Sequence, residues 1–134
     1  MSDWTAADLD RIGSAGELQI TTRRADGSLR PYVPVWVVRV GDQLFARSWR
    51  GQAGTWYRHA RQRPDGRVRV GGTERDIAFD LPQAPPDEEI DRAYRAKYGR
   101  YGGTYVGPMT GPDAKAATVR LRPADTDTGR RTAK

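Results

Sequence analysis

The stretch "SWRGQAGTWYRHARQR", residues 48–63, gathers many of the side chains that could do chemistry in this protein. It opens on the hydroxyl of Ser48, passes through Gly51 and Gly54, and carries Trp49, Trp56, Tyr57 and the chain's one histidine, His59. A strand that ends in "ARS", turns through glycine and enters a helix offers Ser48 Oγ, loop amides and the helix's first amides to one point. Unpaired N–H groups and the helix dipole both favour negative charge there. Arg47, Arg50 and Arg58 can add charge-assisted hydrogen bonds to phosphate oxygens. The plainer alternative makes Arg50, Arg58, Arg61 and Arg63 a solvated face and Trp56 the core anchor of the helix. With no Ser or Cys and acid in a triad arrangement around it, His59 reads as structural or exposed.

A second group lies in "KYGRYGGTYVGPM", where Lys97, Tyr98, Tyr101 and Tyr105 stand close together among glycines. Tyrosines in such a loop can line a substrate pocket and donate hydrogen bonds, or pack over an open barrel end. The chain has no cysteine, which excludes disulfides, thiol catalysis and cysteine-ligated metal, and its single histidine argues against a metal site. The net charge of +6 comes almost wholly from arginine, whose rigid fork of donors suits phosphate and carboxylate partners. Basic charge interleaved with aromatics also suits nucleic acid, but no RNP, KH or zinc-finger pattern appears, and Trp36 and Phe45 lie on strands that read as buried. Neither a signal peptide nor a membrane span is visible, so the expected location is the cytoplasm.

At 134 residues the chain is expected to form one domain over residues 1–123, with a polar, disordered tail over 124–134. Ser2 or Asp3 can cap a helix through Ile12, ended by "GSAG". "ELQITTRR" alternates as a strand, and "LRPYVPVWVVRV" is a strand apolar on both faces. Tyr32, Trp36, Val38 and Val40 share one face, and Val33, Val35 and Val37 the other. Such a strand is covered twice, inside a barrel and against a helix or a partner subunit. Pro31 and Pro34 lack an amide donor and require a bulge or an edge segment near its start. "VGDQLF" predicts a hairpin turning at Gly41 and Asp42. After the glycine loop, "TWYRHARQR" predicts a helix, "RVRVGG" and "TERDIAFDL" two strands, and "AATVRLRP" a last strand. Between them Pro85 and Pro86 introduce a helix bearing Ile90, Ala93, Tyr94, Lys97 and Tyr98 at helical spacing, and "RYGGTYVGPMTGPDAK" predicts an irregular loop. The expected architecture is mainly β (α+β): a six-stranded antiparallel split barrel with flanking helices.

With these pieces in place, residues 26–80, "DGSLRPYVPVWVVRVGDQLFARSWRGQAGTWYRHARQRPDGRVRVGGTERDIAFD", resemble the split β-barrel flavin-binding superfamily. That superfamily includes the pyridoxamine phosphate oxidases and the deazaflavin-dependent nitroreductases and reductases. A weaker likeness continues through "AYRAKYG". Within the superfamily the chain is most similar to a small uncharacterised family marked by "WY", "GG" and "KYG". The resemblance implies a homodimer with a flavin or deazaflavin ring at the subunit interface. It places Val33, Pro34, Val35 and Trp36 beside the ring. Ser48, Arg50, Gly51 and Thr55 fall at the cofactor phosphate, and Trp56 and Tyr57 at the start of the following helix. The chain departs from the pattern in two places. Its loop is shorter and lacks the lysine of the deazaflavin reductases, a role left to Arg50 or Arg58, and His59 stands where asparagine is usual.

The reading implied is an oxidoreductase that uses FMN or deazaflavin (coenzyme F420) to transfer hydride to or from a small organic molecule. Tyr98, Tyr101 and Tyr105 are its candidate proton donors and Lys97 a charge partner in the substrate pocket. The alternative is a cofactor-free barrel that binds or transforms another small molecule.

Overall fold

A computed structural model describes residues 4–124, apart from the side chains at positions 101 and 103–105. Helix α1 spans Ala6–Gly13, and its cap is Thr5, whose Oγ1 accepts from the Asp8 amide at 3.1 Å. Ser2 and Asp3 lie outside the described residues. Leu9 and Ile12, three apart, share the buried face of α1.

Seven antiparallel strands follow: β1 (Leu18–Thr22), β2 (Val33–Val35), β3 (Val37–Val40), β4 (Gln43–Arg47), β5 (Asp65–Val70), β6 (Thr73–Asp80) and β7 (Thr118–Pro123). They form one sheet in the order β2-β1-β5-β6-β7-β4-β3, a nearly closed barrel. The six expected strands become seven because the run from Leu29 to Val40 breaks at Trp36. Its first part pairs only with β1 and its second only with β4. A single residue thus joins the two free edges of the sheet, and Pro34, which has no amide to give, sits on one of them.

The double apolar character of this run has the expected consequence. Val35 and Val37 face the barrel interior with Leu18, Ile20, Leu44 and Leu121. Val38 and Phe45 face outward and are covered by helix α3, Asp87–Tyr98, through Ile90, Tyr94 and Tyr98. The second layer is therefore supplied by the chain itself.

Helix α2, Thr55–Gln62, sends Tyr57 and Ala60 into the barrel core. The glycine-rich segment after α3 is helical rather than irregular: a 3-10 turn at Gly99–Tyr101, α4 at Gly103–Met109 and α5 at Pro112–Ala116. Its glycines and prolines read as breakers. Val106 and Met109, three residues apart, nevertheless bury against Tyr94 and Tyr98, and Pro112 takes the first turn of α5, where its missing amide costs nothing.

Candidate functional site

The site is built from the loop between β4 and α2. Gly51 N–H donates to Ser48 O (2.8 Å) and Gly54 N–H to Gly51 O (3.1 Å), closing a 3-10 turn that delivers the chain to the helix. Gly54 occupies the N-cap of α2 and offers no side chain to the helix's first amides. A Cβ at this position would stand 2.1 Å from Ser48 Oγ, so only glycine lets the serine hydroxyl sit directly under the helix start. Arg58 N–H already donates to Gly54 O (3.1 Å). Among the described residues, no acceptor faces the amides of Thr55, Trp56 and Tyr57. They remain for a ligand or for water.

This loop forms one end of a cleft of about 870 Å³. The cleft is lined by Thr55, Trp56 and His59 of α2, by the edge segment Val33–Trp36, and by Ile20, Thr21 and Thr22 of β1, the strand on which that segment pairs. Trp49 and Arg50 stand at the mouth, where Trp49 is 66% exposed and Val33 38%.

Of the residues singled out in the sequence, the cleft brings together Val33, Pro34, Val35, Trp36, Ser48, Arg50, Thr55 and Trp56. Three others lie elsewhere. Gly51 is buried against Asp113, Tyr57 points into the barrel core, and Arg58 is exposed on the flank of α2. Trp56 divides its surface between the two roles open to it, meeting Phe79 at 6.4 Å between ring centroids while lining the cleft.

Tyr98 and Lys97 work from behind. The Tyr98 ring stacks parallel on Trp36 at 4.0 Å, and its hydroxyl shares its one proton between Gly16 O (3.0 Å) and Val37 O (3.2 Å). Lys97 Nζ donates to the same Val37 carbonyl at 2.6 Å. The side chains of Tyr101 and Tyr105 lie outside the described residues.

Burial draws the Lys97 ammonium down to about 8 from its ordinary 10.5. Between these values the folded chain binds fewer protons at this residue than the unfolded chain, so stability from Lys97 rises with pH across that interval. Lys97→Met keeps the apolar stem and leaves Val37 O to Tyr98. It should therefore hold or raise stability at pH 7 and flatten the pH dependence between 8 and 10.5 in urea unfolding.

The cleft is cationic and its cations are unequal. Arg47, offered by the sequence as a phosphate contact, is instead fully buried and consumed internally. It donates to Asp91 Oδ1 (2.5 Å), Asp87 Oδ1 (3.0 Å), Thr118 Oγ1 (3.0 Å) and Met109 O (3.0 Å). Arg50 has no carboxylate within ion-pair distance among the described residues. Neither has Arg30, a cleft residue that sequence reasoning missed. His59 is pushed below its ordinary 6.5, first by burial and then by the charges of Arg30 and Arg58, which keeps the imidazole neutral near pH 7. Trp49, Thr21, Thr22, Pro108 and Met109 were also missed. Of these only the buried threonine pair left a trace, as two successive polar residues that break the alternation at the end of β1.

Among the described residues no cluster of three His, Cys, Asp or Glu side chains could hold a metal ion, and no helix is long and apolar enough to cross a membrane. What remains is an apolar slot with a cationic, amide-rich end, suited to a flat ring carrying an anionic arm.

Comparison with known proteins places this geometry in a fold. None of the curated proteins matches the chain. Three of the solved structures most similar to it are split barrels of the same kind. The F420-H2-dependent reductase FDR-A has a TM-score of 0.56 and 19% identity, with 80% of this chain and 93% of that one covered. HutZ, the heme storage protein from Vibrio cholerae, has a TM-score of 0.58 and 13% identity, with 89% of each chain covered. The conserved hypothetical protein Rv2991 from Mycobacterium tuberculosis has a TM-score of 0.56 and 17% identity, covering 92% of this chain and 81% of that one. The split-barrel fold expected from the resemblance of residues 26–80 is thus present. The family model described as "uncharacterized protein conserved in bacteria (DUF2255)" matches residues 8–121, nearly the whole barrel, and the chain belongs to that family.

Proposed function

We propose that the cleft binds a phosphorylated flavin-type cofactor, FMN or deazaflavin, and that the protein is an oxidoreductase acting on a small organic molecule. The observation that carries this reading is the start of α2. Free amides, a Gly54 that no side chain can replace without striking Ser48 Oγ, and an uncompensated Arg50 converge at one end of an apolar slot. These residues fit a phosphate, and the walls of Val33–Trp36 and Trp56 fit a flat ring.

Bound there, the cofactor would supply hydride chemistry. The chain's own contribution is to hold and to shelter. Thr55, Trp56 and Tyr57 amides, Ser48 Oγ and Arg50 would take the phosphate. Val35 and Trp36, the latter braced by Tyr98, would fix the ring plane and keep water from one face. A second copy of the chain, which the resemblance implies, would cover the exposed Val33 and Trp49 at the mouth, and sedimentation measures that directly.

The test is a titration of purified protein with FMN and with deazaflavin, followed by cofactor fluorescence. Saturable micromolar binding of one is expected. Arg50→Ala should weaken it by about 1.5–3 kcal/mol, roughly 10- to 150-fold, the worth of a hydrogen bond to a charged group. Arg58→Ala, off the cleft, should change it little. No binding of either cofactor overturns the reading and leaves the cofactor-free barrel. A parallel hemin titration separates haem in the same slot, for which the neutral imidazole of His59 would be the ligand.

A further inference from the structure

We propose that Arg30, His59 and the Thr22 hydroxyl form a second anion subsite in the cleft, apart from the cradle at Ser48 and Arg50, and that it receives the carboxylate of the substrate. The inference rests on the reading of this cleft as a ligand site and adds the substrate class to it.

The two positive centres occupy different ends. Arg50 and the free amides lie at the N-terminus of α2. His59 is four residues further along the helix, about 6 Å at 1.5 Å per residue. The helix's far end is tied to the end of β1, where Arg63 Nη1 donates to Arg24 O (3.0 Å) and Ala25 O (3.2 Å). Arg30 belongs to that same end. Its amide donates to Thr22 O (2.9 Å), its carbonyl accepts from Thr21 Oγ1, and its Nη1 donates to Arg23 O (2.7 Å) and Thr22 Oγ1 (3.3 Å).

The guanidinium of Arg30 is therefore held by one nitrogen while Nε and Nη2 have no acceptor among the described residues. Arg23, Arg39, Arg47, Arg63, Arg67, Arg75 and Arg120 each reach a carboxylate, whereas Arg30 and Arg50 of the cleft reach none among the described residues. A partly buried, immobilised and unpaired guanidinium facing a cleft has already met the cost of ordering, and an incoming carboxylate gains the full two-point contact.

His59 completes the pair. Its imidazole lines the same cleft, and no hydrogen bond satisfies either ring nitrogen among the described residues. The charged groups around it are Arg58 on its own helix, Arg30 from the β1–β2 connection, Arg50 and the internally neutralised Arg47 at the loop end. Glu17 is the acid of the cleft lining and belongs to the opposite end of β1. An anion that enters between Arg30 and His59 opposes the cations that hold the imidazole neutral and so draws a proton onto it. Binding then takes up a proton, and affinity rises as pH falls. One guanidinium edge and one imidazole suit a planar carboxylate. The donor-rich loop at the other end suits a phosphate.

Because His59 is the only histidine, its imidazole gives a single set of NMR signals that needs no assignment. The experiment follows its pH titration in the full-length protein with and without benzoate, with benzamide as the uncharged control. The expected result is an upward shift of the His59 titration with benzoate and none with benzamide. In Arg30→Gln the free protein should titrate higher, the benzoate response should vanish and benzoate affinity should fall about tenfold. In His59→Gln, which keeps the anchored arginine, benzoate binding should persist more weakly and lose its pH dependence.

A His59 titration that benzoate does not move, or moves equally in Arg30→Gln, overturns the subsite. If Arg30→Gln weakens FMN or deazaflavin as strongly as Arg50→Ala does, the anion belongs to the cofactor, and the assignment to substrate falls. Benzoate binding with the expected behaviour but no cofactor binding would sustain this subsite while the oxidoreductase reading fails.

Discussion

Asp91→Ala should lower the stability of the folded chain by about 3 kcal/mol, the low end of the cost of breaking a buried pair, because Asp87 at 3.0 Å still offers Arg47 a partly exposed counter-charge. Arg47 is fully buried, and the Asp91 carboxylate at 2.5 Å is the better sheltered of its two acids, being 8% exposed against 40% for Asp87. Asp91 also takes Lys115 Nζ at 3.1 Å, so one side chain of α3 ties the end of β4 to α5. Burial alone would raise the Asp91 pKa, but the hydrogen bonds and charges of Arg47 and Lys115 prevail and hold it below the ordinary 3.8. Its contribution is therefore present above about pH 4 and lost as pH falls through the depressed value. Urea unfolding at pH 7 measures the loss, and the same series at pH 3 should show a smaller gap between the variant and the parent chain. A difference under 1 kcal/mol at pH 7 would contradict the pairing. Arg47 immediately precedes Ser48, so the variant should also weaken cofactor binding by loosening the loop at its root.

Gly66→Ala should cost about 3 kcal/mol, near the upper end for an overpacked core position. The added Cβ would lie 2.1 Å from Thr21 O and 2.9 Å from Phe79 Cε2. The first of these is backbone and cannot rotate aside. Gly66 pairs with Thr22 across the β1–β5 ladder, so the strain falls on the two threonines that form the base of the cleft. Gly72→Ala is the control, because a Cβ there meets nothing within 4 Å. A thermal unfolding curve for each separates them: Gly72→Ala should stay close to the parent and Gly66→Ala should fall well below it.

Where the sequence announced the fold, it did so through alternation. Val37 and Val38 had to face opposite ways, Leu44 and Phe45 likewise, and both layers of the core follow from that. Ile90, Tyr94 and Tyr98 at intervals of four fixed the inner face of α3. The break at Trp36 was not legible because the alternation runs through it undisturbed. Only the partners of each half, β1 and β4, reveal that one run serves two edges of the sheet. The helices after Gly99 were hidden by their own glycines, since the burial of Val106 and Met109 that sustains α4 is a tertiary effect.

The cradle at Ser48 was readable as a local pattern of strand, glycine and helix. The partners of its arginines were not. Arg47 and Asp91 are 44 positions apart, and Asp87 at the start of α3 reads equally well as a complement to the helix dipole. Arg30 and His59 meet only because α2 lies along the end of β1, a placement that no spacing encodes. For Trp56 and Tyr57, adjacent on one helix, the rotation of α2 decides which enters the core, and that too is set by packing.

The bare edge of β2 has one more consequence. An exposed strand with free amides and carbonyls invites another chain to lie alongside and extend the sheet. Here the strand is three residues long with proline at its centre, and a second proline stands just before it at position 31. Each proline withholds a donor from any incoming backbone. A molecule that settles against Val33 and Trp49 must therefore be recognised by its shape and its side groups, and the barrel is guarded at its one open seam against endless growth by strand addition.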